Sequence, residues 1–267
     1  MTPELSILTA AHLPDREVFA ASARSLAAAA AGLQVEWVIV VDGDTDAQEL
    51  RDIAAAHSAP EVSALQLVTL GFRAGAGGAR SIGLAHCTAD WVTVLDADDL
   101  LPQEALRLQL EALAGNPEAR WCVGAGQTLT KDGELIFWPH SLPDVVPAGM
   151  IAAVTRDTGA MPTIPISGVW HTDTVRRLGA WPALPRDEDT SLKLAITSTV
   201  SGVSVPGSVY VYRRDNPGQI TASAEFTVAM AHCRLSALDR LRALARCGYA
   251  PSDLLDGDWD AFLGVVQ

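Results

Sequence analysis

The sequence predicts an α/β fold: a mixed, mostly parallel central sheet flanked by helices, with a helical extension at the C-terminal end. Three observations predict it. Over the first hundred residues, short β-branched runs alternate with alanine- and leucine-bearing stretches, which is how parallel strands joined by crossover helices read in a sequence. Two of those strands run directly into acidic turns, Asp42-Gly43-Asp44-Thr45-Asp46 and Asp96-Ala97-Asp98-Asp99. A length of 267 residues with 49% hydrophobic side chains is enough to bury one large core.

Taken in order, Leu5-Ser6-Ile7-Leu8-Thr9 is a short apolar strand. An alanine-rich helix follows over 16–31 and ends at Gly32, a residue suited to a left-handed cap. The pattern then predicts a strand over 36–41, a helix over 48–56, a strand over 62–70 and a helix over 77–86. Trp91-Val92-Thr93-Val94-Leu95 is the next strand, and beyond the acidic turn Leu100-Leu101-Pro102 leads into a helix. Leu106, Leu110 and Leu113 recur on it at helical spacing, and Gly115-Asn116-Pro117 stops it. Strands are expected over 121–125, 127–130 and 134–138, the last two joined by the turn Lys131-Asp132-Gly133. Proline-rich stretches at 139–147 and 162–165 read as loops, and 190–195 reads as helix. A final amphipathic helix carries Val228, Ala231, Leu235, Leu238 and Leu241, with Thr227 as its cap.

Nineteen basic residues against 32 acidic ones give a net charge of −13, which opposes nonspecific attraction to nucleic acid or to anionic lipid. An anionic substrate would therefore need a cation between itself and the protein. Cys87, Cys122, Cys233 and Cys247 lack the paired spacing of a zinc site and read as reduced, buried thiols of a cytoplasmic protein. No apolar stretch is long enough to span a bilayer and the first residues lack the basic, then apolar, order of a signal peptide, so a soluble chain without a transmembrane segment is expected.

The acidic turns carry the chemistry. Asp96 and Asp98, two residues apart at a strand end, can share one divalent cation. Mg²⁺ or Mn²⁺ prefers oxygen ligands together with substrate phosphates, so metal-bridged diphosphate binding is one reading and capping of a helix beginning at Pro102 is the other. Asp187-Glu188-Asp189 divides in the same way between a reactive group and a helix cap. The glycine-rich span from Gly71 to Gly83 invites a dinucleotide-binding reading, but Arg80 stands where that fingerprint wants Gly or Ala, and no acidic ribose contact follows at the usual distance. The histidines have no mutual metal spacing; His12 reads as a loop residue, and Trp170 and His171 as packing or acceptor-side residues.

The order of strand, acidic turn, Gly78-Ala79-Arg80-Ser81-Ile82-Gly83-Leu84, strand, Asp96-Ala97-Asp98-Asp99 and later Glu188-Asp189 resembles the family 2 glycosyltransferases of GT-A fold. Ser167-Gly168-Val169, Leu178-Gly179-Ala180 and the closing Tyr212-Arg213-Arg214-Asp215-Asn216-Pro217-Gly218-Gln219-Ile220-Thr221 are similar to further segments of that family. The resemblance implies a GT-A domain over 1–223, with a nucleotide-sugar-binding half at 1–100, an acceptor-side half at 101–223 and a helical extension at 224–267.

It further implies that Asp96 orients the ribose and, with Asp98, binds Mn²⁺ or Mg²⁺, with Asp99 a further ligand. By the same resemblance Asp42 contacts the nucleobase or ribose, Thr9 lies beside the base, and Arg80 pairs with a phosphate, a surface salt bridge being the other reading of that arginine. Asp189 takes the place of the general base, with Glu188 beside it. The chain departs from the family at three places. Gly43-Asp44 changes the second acidic turn, so Asp44 is a candidate replacement contact; Thr9-Ala10-Ala11-His12 lacks an aromatic partner for the base; and the closing segment lacks the family's histidine, leaving Asp215 as either a metal ligand or the start of a turn.

The implied activity is metal-dependent, inverting transfer of a sugar from a nucleotide-sugar, a UDP-sugar by family habit, to the hydroxyl of an acceptor. That acceptor, whether small molecule, peptide, carbohydrate or lipid-linked, is not legible. A sugar-phosphate nucleotidyltransferase is the alternative, but it normally carries a glycine-rich phosphate loop after its first strand, and residues 9–15 contain no glycine. A noncatalytic nucleotide-sugar-binding protein of the same fold is a third reading, against which the presence of Asp189 argues.

Overall fold

The computed structural model describes residues 2–57, 59, 61–214 and 228–264. Its first half alternates strand and helix as the hydrophobic pattern requires: β1 (Leu5–Ala11), α1 (Arg16–Ala29), β2 (Val35–Val41), α2 (Ala47–His57), β3 (Val62–Thr69), α3 (Gly75–Leu84), β4 (Trp91–Val94) and α4 (Ala105–Ala114). Asp15 starts α1 by accepting the amide hydrogens of Glu17 and Val18. All seven residues of β2 are buried, as expected of a strand covered on both faces. Its single acidic side chain, Glu36, is satisfied by the Ser6 hydroxyl, the Thr88 hydroxyl and the amides of Thr88 and Ala89.

The second half contributes β5 (Trp121–Leu129), β6 (Leu135–Trp138), β7 (Val145–Val146), α5 (Met150–Thr158), β8 (Val169–His171), α6 (Thr172–Arg177), α7 (Glu188–Thr199) and β9 (Gly202–Arg213). One sheet joins the two halves in the order β3-β2-β1-β4-β8-β5-β9-β7, with β6 paired to β5. β1, β2, β3 and β4 are mutually parallel. β8 runs antiparallel to both β4 and β5, and β9 is parallel to β5. The C-terminal ends of β1, β2, β4 and β9 therefore open on the same edge, where α/β sheets bind ligands. A bridge between Leu100 and Val211 ties the turn after β4 to β9 at that edge.

Several elements differ from expectation. The two strands expected over 121–130 are one, because β5 absorbs Gly124 and Gly126 as register irregularities against β9 instead of breaking. α4 begins at Ala105 and has no side-chain cap, so residues 96–99 do not cap a helix there. In α8 (Met230–Arg246) the buried residues are Cys233, Ala237, Leu238, Leu241 and Ala245, while Leu235 is exposed, as is Val228 just before the helix. The buried stripe is thus rotated from the expected one; Thr227 lies outside the described residues.

α8 and a short α9 (Asp260–Leu263) close a small second core of Ala152, Leu194, Leu238, Leu241, Leu254, Trp259 and Phe262, packed on α5 and α7. All four cysteines are free, and Cys247 is exposed where a buried thiol was expected. Among the described residues no helix is long and apolar enough to cross a membrane.

Candidate active site

The edge formed by β1, β2, β4 and β9 gathers most of the residues singled out above. Immediately after β4, Asp96, Asp98 and Asp99 each offer a carboxylate oxygen, and these oxygens lie within 4.8 Å of one another. Three hard oxygen donors this close suit Mg²⁺ or Mn²⁺. The three are not equivalent. Asp96 and Asp98 are half-buried, whereas Asp99 is 1% exposed. The Tyr210 hydroxyl donates to Asp99 Oδ2 at 2.8 Å, and the Arg213 amide donates to Oδ1 at 2.8 Å. The same hydroxyl accepts the Asp96 amide at 3.2 Å. Burial, reinforced by the charges of Asp96 and Asp98, holds the Asp99 carboxyl well above the usual carboxylate range. Asp99 is thus the strut that fixes the acidic turn to β9, and Asp96 and Asp98 are the more accessible pair.

Arg80, on α3, is 2% exposed and lies behind this turn. Its Nη2 donates to Asp96 Oδ1 at 2.6 Å. Its Nη1 donates to Glu188 Oε1 at 2.9 Å and to the two oxygens of Asp189 at 3.1 and 3.2 Å. The guanidinium therefore faces three carboxylates from two distant segments, where a phosphate partner was expected. Burial opposes its charge, but Asp189, Asp96 and Glu188 outweigh burial and hold its pKa above the usual arginine value. Close approach makes this possible: a Cβ on Gly77 would lie 2.1 Å from the Pro182 carbonyl oxygen and 3.1 Å from Glu188 Cβ. Only glycine lets α3 come so near the start of α7.

Glu188 and Asp189 occupy the first turn of α7, where carboxylates complement the helix dipole. The Trp181 indole donates to Asp189 Oδ1 at 2.8 Å, so Asp189 is gripped from two sides. Burial pushes its carboxyl up to about 7, with the neighbouring charges of Glu188 and Asp96 adding and the Arg80 charge and the Trp181 hydrogen bond opposing. A carboxylate so poised suits proton abstraction near neutral pH.

On the β1–β2 side, Asp42 is buried and its two oxygens accept the amides of Ala74 and Gly75 at 2.6 and 3.0 Å, anchoring the start of α3. Asp44 is exposed in the turn that follows. Thr9 is fully buried: its hydroxyl donates to the Leu95 carbonyl and accepts the Trp37 indole, so its polar capacity is used inside the sheet. His12 Nδ1 contacts the Asp42 carbonyl oxygen at 3.0 Å. Trp170 is buried beneath Lys193, and His171 is half-buried, edge-on to Trp91. Asp215 lies outside the described residues.

Tyr210, Trp181 and Lys193 were not picked out by motif. Tyr210 belongs to the alternating Val209-Tyr210-Val211-Tyr212 run, a strand signal that could have placed it. Trp181 carried no local signal.

Fold and site together define the class: an α/β domain of GT-A type with an acidic, cation-fitting turn at its ligand edge. The glycosyl transferase family 2 model matches residues 14–146. Succinoglycan biosynthesis protein ExoO of Rhizobium meliloti (strain 1021) is 32% identical over 109 residues, which is 41% of this chain and 29% of that protein. The chain thus spans less than a third of that relative's length. Among solved structures, S. aureus TarS 1-349 in complex with UDP-GlcNAc superposes with a TM-score of 0.66 at 15% identity, over 94% of this chain and 74% of that one. The mannosyltransferase PcManGT from Pyrobaculum calidifontis, in complex with GDP-Man and Mn²⁺, gives 0.64 at 17% identity, over 100% and 71%. The chain belongs to glycosyltransferase family 2.

Proposed function

We propose that the protein transfers a sugar from a nucleotide-sugar, a UDP-sugar in the first instance, to an acceptor hydroxyl, with a divalent cation at Asp96 and Asp98, inversion at the anomeric carbon and Asp189 as general base. The observation that carries this reading is the joining of the two acidic groups: Arg80 binds Asp96 on the cation side and Asp189 on the other, so both belong to one cleft. The bound nucleotides of the two structural neighbours, UDP-GlcNAc in one and GDP-Man with Mn²⁺ in the other, support the donor class. A divalent cation held by Asp96 and Asp98 supplies positive charge where a departing diphosphate builds negative charge.

This chain's own residues do the rest. Asp189, held by Trp181 and Arg80, takes the proton of the acceptor hydroxyl as that oxygen bonds to the anomeric carbon. The bond between that carbon and the diphosphate oxygen breaks, and its electron pair leaves with the nucleoside diphosphate. Base assistance of this kind contributes about 10²- to 10⁴-fold in rate.

The test is release of nucleoside diphosphate by purified protein with Mn²⁺ or Mg²⁺, UDP- and GDP-sugars and an acceptor panel. Asp189→Asn is expected to lose transfer by about 10²-fold or more while retaining donor affinity, and unchanged turnover would reject the base assignment. Asp98→Asn is expected to lose the metal-dependent part of donor binding in calorimetry; binding that stays metal-dependent at full strength would reject the cation assignment.

A further inference from the structure

We infer that Arg80 is a positioning residue, which locks Asp189 and Asp96 into one register and does not itself grip the diphosphate. The inference rests on the donor and base assignments proposed above. A guanidinium carries five N–H donors in a rigid fork, and phosphate recognition uses two parallel ones facing the ligand. In Arg80 one terminal nitrogen serves Glu188 and Asp189, the other serves Asp96, and Nε is buried without a hydrogen-bond partner. At 2% exposure the side chain has almost no surface to offer a phosphate.

What the fork does is span two segments far apart in sequence, the turn after β4 at Asp96 and the first turn of α7 at Glu188 and Asp189. One planar cation holds the donor-side carboxylate and the base at a fixed separation, while Trp181 sets the second hydrogen bond to Asp189. A lysine ammonium at the same place is a point charge and cannot hold three carboxylates in that fixed geometry.

The experiment compares wild type, Arg80→Lys, Trp181→Phe and the double variant in three measurements: titration with UDP or GDP in the presence of Mn²⁺, turnover read as release of nucleoside diphosphate, and the crystal structure of the wild type with the nucleotide that binds. In the wild-type complex Arg80 is expected to remain on Asp96, Glu188 and Asp189. Both variants are expected to keep nucleotide affinity within about threefold while kcat falls by about 10²-fold in Arg80→Lys, the scale of a small misplacement of a reacting group. Arg80→Lys combined with Trp181→Phe should lose less than the product of the single losses, since both act on Asp189.

A guanidinium swung onto the diphosphate in the crystal, or nucleotide affinity weakened about tenfold or more in Arg80→Lys, overturns the inference. If Arg80→Lys does not fold, the wild-type complex and Trp181→Phe decide. Failure of both nucleotides to bind the wild type defeats the donor assignment instead, so the two failures are distinguishable.

Discussion

At the scale of single residues, charge balance governs the cleft. Asp96, Asp98, Asp99, Glu188 and Asp189 converge, and Arg80 bridges Asp96, Glu188 and Asp189; burial and mutual repulsion still raise Asp99 and Asp189 instead of lowering them. A base must be deprotonated to work, so with Asp189 near 7, kcat/KM at low substrate should rise with pH below about 7 and level off above it. A profile flat from pH 5 to 8, measured with a donor whose own ionisation is constant there, would reject Asp189 as the titrating base. Tyr210 makes a second residue-scale prediction. Its hydroxyl both donates to Asp99 and accepts from the Asp96 amide, so Tyr210→Phe leaves two groups without a partner. The expected cost is about 1–3 kcal/mol in urea unfolding, accompanied by weaker Mn²⁺ binding because the acidic turn is no longer tied to β9. Unaltered stability would mean that water replaces the hydroxyl.

At the scale of elements, the alternating half was legible because its strands and helices are long enough to show their period, and each of the six expected there, from the first strand to the helix after the third, is present within two residues at either end. The second half was less so. β8 has three residues and α6 has six, too few for a periodic signal. β9 was not recognised as a strand, since Pro206 and Gly207 interrupt its apolar run, and Gly126 made one strand look like two. The site was legible as residue types in order, because Asp96, Asp98, Glu188 and Asp189 carry chemistry wherever they fall. Partnership was not: nothing local to Arg80 shows that its neighbours are carboxylates supplied from residues 188 and 189. The same holds for Thr9, whose core partners Trp37 and Leu95 come from other segments. Gly77 gives the element-scale prediction. A methyl group there meets the Pro182 carbonyl oxygen, which is backbone and cannot swing aside, so Gly77→Ala must push α3 away from the start of α7. Overpacking of this kind costs about 1–3 kcal/mol and should shift Tm by several degrees. Because Arg80 rides on the same helix, kcat should fall as well, and wild-type turnover in a destabilised Gly77→Ala would separate the packing of α3 from the register of Asp189.

At the scale of the whole molecule, α7 is the wall shared by everything. Its first turn carries Glu188 and Asp189, its middle carries Leu194 into the small core closed by α8 and α9, and its inner face carries Lys193. Lys193 is 1% exposed; its Nζ donates to Thr163 Oγ1 at 2.9 Å and to the Ile164 carbonyl at 2.6 Å, and lies 5.6 Å from the centre of the Trp170 ring. It thereby binds the 163–164 segment to the helix that holds Asp189. Burial pulls its pKa down to about 7 from the ordinary 10.5, with the Asp189 charge opposing. Between these values the unfolded chain binds a proton that the folded chain has released, so this group makes stability rise with pH from about 7. The rise should be read below pH 9, because Cys87 and Cys122 are pushed from 9.0 up to about 12 by burial, and folding then opposes their ionisation with the reverse sign. Lys193→Met removes the amine and keeps an unbranched apolar chain. The difference in unfolding free energy between wild type and this variant is expected to move in favour of wild type between pH 7 and 9, by at most about 1.4 kcal/mol per unit. Urea melts at three pH values across that window measure it, and a difference that does not change with pH would show that Lys193 keeps its proton in the folded protein.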